Sequence, residues 1–453
     1  MLLARRFARS AIEGDPRGPE HYVCKFINKW KMAFSFSGRW LLRNNYRPER
    51  KGHHMTSCQS ASAQSSRNPG EEPDYLSDAD LSDLLNALRK IFDRRGKNGR
   101  QHELAFVLAV CVVAALAGAK GFSEMARKAR GLSRPLLMML GAKWDWFKSR
   151  PKYPSKGTIR RVLCGIDASL LDRITGGWLA EHAAKVDDDE LAVAVDGKVL
   201  RGAWTDENDQ VTLFSAMIQR EGITIAQVRV PDGTNEITQV PALLEAMPIP
   251  AQMPALFTLD AAHTQRETAK EIREMPEWHY LMEVKGNQPK LQRAVFDKVL
   301  PLFKEAPHDI MEDDSHGRLK RWSCWITDAE GIDFPEVCQV GAIRRDVFDR
   351  SGDRISKEIA LVLTSKKAGK LTAAGLNRRK RDHWGIENKE HYVRDTVFRE
   401  DLGQTWSGEG PQGLASIYNA AISLIRLKGI NKIKEATEWV ADNRDRAVYF
   451  MTA

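Results

Sequence analysis

Two apolar runs in this chain of 453 residues each end in an aspartate, and this pair constrains the fold more than any other feature. The first run, LAVAVDGKVLRG at 191–202, carries Asp196, and the second, PALFTLDAAHTQ at 254–265, carries Asp260. Short apolar runs that end in Gly and charged residues are typical of buried strands that reach solvent. If the two strands are neighbours, the aspartates lie side by side. Two such carboxylates repel each other unless a cation lies between them.

The order of elements after residue 190 predicts an α/β fold. Three strand-like runs with short loops between them indicate an antiparallel meander, and helices then alternate with strands in the order βββαβαβα. This is the order of a ribonuclease-H-like fold, a mixed sheet with helices on both faces. In that fold the first and fourth strands are adjacent, which would bring Asp196 beside Asp260.

Composition and periodicity divide the chain into four predicted parts. Residues 1–73 are basic and lack sustained periodicity, which predicts a disordered extension. Residues 74–185 contain only helical patterns and are predicted to form an all-helical N-terminal DNA-binding domain. Residues 186–410 would form the catalytic domain, with a β-rich insertion at about 312–366. Residues 411–453 close the chain with amphipathic helices.

The net charge of +9 lies in the first part of the chain. Residues 1–70 hold 13 Lys/Arg and 4 Asp/Glu, and the remainder carries equal numbers of acidic and basic residues. Bulk charge therefore does not indicate nucleic-acid binding, and only local basic clusters can do so. The opening MLLARRFARSA is similar to a transit peptide. We interpret it instead as an extension upstream of an initiating Met55, with a basic DNA-binding arm as a further alternative.

Cysteine usage and hydropathy indicate a cytoplasmic protein. None of the six cysteines lies in a CxxC pair, so neither a structural zinc site nor a disulfide framework is indicated. Scattered thiols fit a reducing compartment. The uncharged run at 104–119 is shorter than the roughly 20 residues that a membrane span needs, so it predicts a buried helix.

A third acid is expected from the segment HWGIENKEH at 383–391, and we select Glu387. Its neighbours Trp384 and Ile386 can pack this helix on the sheet. A carboxylate with arginines nearby suits chemistry on a phosphodiester. The competing acids are Glu390, Glu400 and Asp401.

Six polar residues near the predicted site are candidate DNA contacts. They are Lys198, Arg201, Lys285, Asn287, Arg381 and Arg394. The alternative for each is an ordinary solvated surface residue. His263 and Gln265 could order the surroundings of a metal, or cap the following helix. The segment at 155–161 could present a helix start and basic side chains to a phosphate backbone, or be an ordinary capped helix.

Five separated motifs, in order, carry a resemblance to a known family. They are VDGKVLRG at 195–202, DAAHTQRETA at 260–269, VKGNQPKL at 284–291, HGRLKRW at 316–322, and HWGIENKEHYVRDTVFRED at 383–401. The sequence resembles the DDE transposases of bacterial insertion sequences, in the H-repeat-associated (ISAs1-type) group, over roughly residues 75–450. Where that group has IENKLHW, this chain has an additional acid, Glu390.

The resemblance implies a catalytic triad of Asp196, Asp260 and Glu387 that holds two Mg²⁺ ions, for which Mn²⁺ can substitute. Ions in such sites lie about 3.5–4 Å apart. It also implies DNA partners, namely the terminal inverted repeats of the element and a target. We also expect a homodimer in the DNA complex, no membrane association, and a location at the bacterial nucleoid.

Three alternatives remain open at this point. The protein could be an inactive relic that only binds DNA, or a general ribonuclease-H-like nuclease. His383, Glu387 and His391 also recur at the four-residue spacing of helix-borne zinc ligands. The zinc-hydrolase motif, however, requires Glu directly after the first His, and it would leave both aspartates unexplained.

Overall fold

A nine-stranded mixed sheet organises the protein, which is described here by a computed structural model. The described residues are 74–77, 79–96, 100–183, 190–204, 210–315, 317–403 and 408–452. The predicted extension at 1–73 and the His316 of the fourth motif lie outside them.

Among the described residues from 74 to 183, the regular secondary structure is helical apart from one short β-ribbon. The helices are α1 (Ser82–Arg89), α2 (Leu104–Leu116), α3 (Gly121–Arg130), α4 (Arg134–Met139), α5 (Lys156–Gly165) and α6 (Ala168–Ala183). The ribbon pairs β1 (Trp144–Asp145) with β2 (Arg150–Pro151) in antiparallel register. The all-helical prediction is therefore wrong here. Pro151 and Pro154 disfavour helix, and Ser149 adopts a left-handed conformation that closes the turn.

Helix α2 is the predicted buried helix, and every one of its side chains is buried. Its composition is apolar on all sides, which is typical of a helix surrounded by protein. In the described parts of the chain, no single helix is long and apolar enough to span a membrane. The bent pair α2 and α3 meets the length and composition test only when taken together.

The sheet contains every strand that the structure describes after residue 190. They are β3 (Leu191–Trp204), β4 (Gln210–Ile218), β5 (Ile223–Val230), β6 (Ala255–Leu259), β7 (Trp278–Val284), β8 (Asp309–Ser315), β9 (Arg318–Asp328), β10 (Gln339–Phe348) and β11 (Arg354–Thr364). Their spatial order is β5-β4-β3-β6-β7-β11-β10-β9-β8. Strands β3, β6 and β7 are parallel neighbours, which confirms the predicted adjacency of the first and fourth strands. The predicted β-rich insertion continues this same sheet, because β11 pairs with β7.

Helices separate or follow these strands. They are α7 (Val240–Glu245), α8 (Arg266–Arg273), α9 (Pro289–Val299), α10 (Ala373–His383), α11 (Tyr392–Thr396), α12 (Gly410–Leu427), α13 (Ile433–Asp442) and α14 (Ala447–Met451). A 3₁₀ turn at Glu236–Gln239 precedes α7, and a π-helical turn at Glu387–His391 lies between α10 and α11.

One apolar core joins the N-terminal helices to the sheet. Helix α6 packs on β5, and α12 packs on both α2 and α6. The approach of α6 to the sheet requires a glycine, since a Cβ on Gly176 would overlap the carbonyl oxygen of Ile225. The core is thus continuous across the predicted domain boundary at 185/186, and the division into domains stays a prediction.

Candidate active site

The parallel pair β3 and β6 aligns the two predicted aspartates. Ala194 lies opposite Thr258 in the register, and each aspartate follows two residues later. Strand β6 ends at Leu259, whereas β3 continues to Trp204, so β3 loses this neighbour just where Asp196 occurs. Ligands in α/β sheets bind at such carboxyl ends of parallel strands.

Backbone hydrogen bonds orient Asp260. Its Oδ1 accepts the N–H groups of Ala262 at 3.0 Å and His263 at 3.3 Å. The other oxygen, Oδ2, accepts no hydrogen bond from the described residues. One carboxylate oxygen therefore fixes the loop after β6, and the second is free to bind a ligand.

Glu387 begins the π-helical turn, a distortion that often marks functional sites. The preceding Ile386 is buried against Ala194 and Met217, which anchors the turn to β3 and β4. Of the two predicted packing residues, Ile386 thus packs on the sheet, whereas Trp384 is exposed. The carboxylate of Glu387 is exposed, and no ion pair joins it to a described residue.

The acids are close enough to affect each other's charge. Burial, together with the negative charges of Asp260, Glu236 and Glu387, raises the pKa of Asp196 to about 7. His391, at the end of the π-helical turn, places its Nδ1 3.7 Å from Asp196 Oδ2. The structure therefore brings Asp196, Asp260 and Glu387 into one neighbourhood.

Glu236 is a fourth acid at this site, and the sequence analysis did not select it. Glu236 begins the 3₁₀ turn. Asn235 caps this turn, because its side-chain oxygen accepts the backbone N–H of Thr238. A Cβ on Gly197 would overlap the Glu236 carboxylate, so the glycine after Asp196 makes room for this side chain. Glu236 Oε2 also lies 3.5 Å from His263 Nε2. In the sequence, the glycine at 197 is consistent with another group packing closely after Asp196, but it does not show which side chain that is.

Comparison with known protein families gives two matches. The family described as "Transposase DDE domain" matches residues 187–405, and the family described as "DDE_Tnp_1-associated" matches residues 85–179. The chain belongs to the DDE transposase family. The sequence-based assignment is thus confirmed.

Two relatives from Escherichia coli cover most of this DDE family member. "Putative transposase YncI" of strain O157:H7 is 27% identical over 365 residues, which cover 76% of this chain and 88% of the relative. "H repeat-associated putative transposase YhhI" of strain K12 is 26% identical over 363 residues, which cover 76% and 91%. A cryo-EM structure of the piggyBac transposase synaptic complex with hairpin DNA aligns with 10% identity and covers 83% of this chain and 79% of that chain. Its TM-score of 0.34 is too low to decide the fold.

The competing acids of this DDE family member are held in ion pairs. Arg394 binds Glu400 through two hydrogen bonds of 2.8 and 2.9 Å, and its Nη1 lies 3.2 Å from Glu390. Thr224 donates a further hydrogen bond to Glu390. Asp401 lies 3.6 Å from Lys198. These contacts leave Glu387 as the acid of this segment that remains available to a ligand.

Two predicted DNA contacts are contradicted by burial. Arg394 is 0% exposed because its guanidinium is enclosed by the two glutamates, so it cannot reach a phosphate. Lys198 is also buried, and its Nζ donates to both carboxylate oxygens of Asp395 at 2.8 and 2.7 Å. Both side chains fix the segment after Glu387 to the sheet. Asp395 lies far from Lys198 in the sequence, whereas the two glutamates that bind Arg394 lie close to it in the sequence but do not by themselves reveal its burial.

The other predicted contacts are placed differently. Arg201 is 79% exposed, 3.7 Å from Asp401, and Lys285 is exposed near Glu283. Arg381 is partly exposed, with its guanidinium 4.9 Å above the ring of Trp322. Asn287 donates to the carbonyl oxygen of Ala261 at 2.6 Å, which ties the loop after β7 to the loop after Asp260.

His263 and Gln265, which were predicted to order the surroundings of a metal, have different environments. His263 is buried and stacked on Phe214, and neither ring nitrogen has a hydrogen-bond partner among the described residues. Gln265 accepts a hydrogen bond from Gln288 at 3.0 Å, and its side chain does not cap α8. His263 therefore lies beside Glu236, whereas Gln265 joins two loops.

The donor chemistry of the site fits a divalent cation. Carboxylate oxygens are hard ligands that suit Mg²⁺ and Mn²⁺, and a cation would offset both the burial and the carboxylate repulsion that raise the pKa of Asp196. In the described ranges, no three His, Cys, Asp or Glu side chains converge tightly enough to hold a metal as they stand.

The zinc alternative does not fit the geometry. His383 is buried, and its Nδ1 forms a hydrogen bond of 2.9 Å with the hydroxyl of Thr258. His383 also ends α10, whereas Glu387 and His391 belong to the separate π-helical turn, so the three residues do not share one regular α-helix.

Proposed function

We propose that the protein is a metal-dependent DDE transposase that cleaves DNA at insertion-sequence ends and transfers the cut strand to a target. In this proposal Asp196, Asp260 and Glu387 are the catalytic acids. The observation that supports it is the alignment of Asp196 and Asp260 at the carboxyl ends of adjacent parallel strands, with the charge of Glu387 close enough to act on Asp196. We further propose that the sheet is ribonuclease-H-like, in keeping with its strand order 3-2-1-4-5 over β3 to β7.

The acids would hold two Mg²⁺ ions, or Mn²⁺ in their place. Bound metal in such a site activates the attacking oxygen and stabilises the leaving oxygen. The chain's own residues orient this arrangement: the Ala262 and His263 amides fix Asp260, and Ile386 fixes the π-helical turn. Glu236 would supply a fourth carboxylate beside Asp196.

The DNA would be the terminal inverted repeats of the element and a target duplex, bound by a homodimer. Exposed basic groups near the acids are suited to its phosphates. These are Arg201 and Lys285, with Arg381 at the edge of β8. The names of the relatives, which include transposases, support DNA as the substrate class.

The first prediction tests the triad by substituting one carboxylate at a time. Asp196→Asn, Asp260→Asn and Glu387→Gln should each reduce metal-dependent nicking of DNA that carries the element's ends by about 10³-fold or more, since such groups act as a unit. Nicking is measured on supercoiled plasmid in Mg²⁺, Mn²⁺ and EDTA.

Glu267→Gln is the matched control. It makes the same carboxylate-to-amide change on an exposed position of α8, soon after Asp260 in the chain. It should nick at the wild-type rate. If the wild-type protein binds DNA but does not nick it in either metal, the protein is the inactive DNA-binding relic and the proposed activity is wrong.

A further inference from the structure

An aromatic β-ribbon projects from the N-terminal helices. We define the basic-aromatic ribbon as residues 143–153, in which β1 and β2 pair and Trp146 to Ser149 form the tip. Trp146 is 83% exposed and Phe147 is fully exposed. Two adjacent aromatic rings held in solvent are unusual on a protein surface and indicate an interaction site.

The tip is held in a defined shape. Asp145 Oδ1 accepts the backbone N–H groups of Phe147 and Lys148, both at 3.2 Å, which makes an Asx-type turn. Ser149 has a φ of 47°, and this left-handed residue closes the turn. The two rings are therefore directed outward by the backbone of the turn.

The base of the ribbon is anchored in the core. Pro151 and Pro154 are buried, and Tyr153 packs against the main apolar cluster. The backbone N–H of Lys152 donates to the carbonyl oxygen of Lys143 at 2.8 Å, one step beyond the last strand pair. The base of the ribbon is therefore fixed to the core, whereas its tip lies in solvent.

Charge around the ribbon identifies its partner. Residues 143–161 contain seven Lys/Arg and one acid, Asp145, whose Oδ1 already accepts two backbone hydrogen bonds. Six of the seven basic residues are exposed: Lys143, Lys148, Arg150, Lys156, Arg160 and Arg161. Residues 71–453 as a whole carry equal numbers of acidic and basic residues, so this segment is a local positive field that suits a polyanion.

A second copy of the chain is the less suitable occupant, because it would bring the same positive charges against these. DNA satisfies both features. Its phosphates pair with the basic flanks, and apolar or aromatic wedges can enter between base pairs and stack on bases.

We propose that the basic-aromatic ribbon is a DNA-binding element that places Trp146 and Phe147 on unstacked bases and its Lys/Arg flanks on the backbone. The proposal rests on the proposed function only in taking DNA as the ligand of the whole protein. It assigns base stacking to a part of the chain that carries none of the four acids.

The test compares two DNAs in the full-length protein. One is a mixed-sequence duplex, and the other is the same duplex with a central bubble of unpaired bases. Affinities are measured by fluorescence anisotropy in EDTA, so that no cleavage occurs. The wild-type protein should prefer the bubble by about tenfold, the value expected from stacking of one base on an aromatic ring.

Two variants separate the roles of rings and charges. Trp146→Ala/Phe147→Ala should abolish the preference for the bubble and leave the salt dependence unchanged. Lys148→Gln/Lys152→Gln should weaken binding to both DNAs about equally and reduce the salt slope by about one to two. Ile355→Ala/Ile359→Ala, which removes exposed apolar side chains from β11, should change neither quantity.

Equal bubble preference in the wild-type protein and the tip variant would overturn the proposal. So would a tip variant that changes from dimer to monomer in sedimentation while keeping that preference, because the tip would then be a subunit contact. A wild-type protein that fails to nick DNA but shows the tip-dependent preference would refute the proposed activity and leave the ribbon assignment standing.

Discussion

Asp196 combines partial burial with the repulsion of three other carboxylates. Both influences favour its protonated form, and they raise its pKa to about 7. In the metal-free protein, an ionised Asp196 therefore lowers the stability of the folded state. This is the pattern expected where a protein sacrifices stability for a binding site.

The next prediction concerns Asp196→Asn in protein without metal. Removing one of four clustered negative charges should raise the free energy of unfolding at pH 7.5 by on the order of 2 kcal/mol. Thermal unfolding in EDTA measures this gain. Adding Mg²⁺ should then stabilise the wild-type protein but not the variant.

Glu267→Gln again serves as the control and should leave the melting temperature unchanged in both conditions. A variant that is less stable than the wild type in EDTA would show that Asp196 contributes to folding in its own right, contrary to this account.

At the scale of elements, the π-helical turn places its two glutamates in different environments. Glu387 is exposed at its start, whereas Glu390 is buried with Thr224 and Arg394. Arg394 in turn joins the turn to Glu400. The turn is therefore held in place by a buried ion-pair network, and removing one partner of such a network leaves a charge without compensation.

The two glutamates should consequently respond in opposite ways. Glu390→Gln should destabilise the protein by about 2–4 kcal/mol, because Arg394 loses one of two buried counter-charges. Glu387→Gln should leave stability unchanged or slightly higher and should abolish nicking. Urea unfolding and plasmid nicking, measured on both variants, distinguish them. If Glu390→Gln folds stably and lacks activity while Glu387→Gln is active, the assignment of the third acid must be exchanged.

How much the sequence could predict differs between these elements. Alternation of strands and helices predicted that the strands bearing Asp196 and Asp260 are neighbours, because strand order follows from general rules of sheet connection. The burial of Lys198 and Arg394 could not be predicted, because the sequence does not show whether a basic residue binds DNA or forms an ion pair. Glu236 was missed because its position depends on how a loop packs against Gly197.

At the scale of the whole molecule, a polar network crosses the core from the N-terminal helices to the candidate active site. Asp172 on α6 accepts hydrogen bonds from Gln227 on β5 and Gln412 on α12. Gln227 Oε1 also lies 3.4 Å from Arg394 Nη1, which holds Glu390. The described N-terminal helices and the segment that carries Glu390 and Arg394 therefore share buried polar contacts as well as an apolar core, and we expect them to unfold in one transition.

Asp172 gives this network a pH dependence whose sign can be worked out. Burial raises its pKa to about 7, against hydrogen bonds from Ser416, Gln412 and Gln227 that act in the opposite direction. Because the folded state then binds the proton more tightly than the unfolded state, stability is highest at low pH. It falls as pH rises from about 4 to about 7.

Asp172→Asn should reduce that fall by up to about 1.4 kcal/mol per pH unit, the contribution of one proton. Asparagine keeps an acceptor for Gln412 without the buried charge, so the variant should be more stable than the wild type at pH 8 and similar at pH 4. Urea unfolding at both values measures the difference, with Glu267→Gln as the surface control. A variant that is less stable at both pH values would mean that the hydrogen bonds of the carboxylate outweigh the cost of burying its charge. The link between the N-terminal helices and the sheet would then depend on an ionised Asp172.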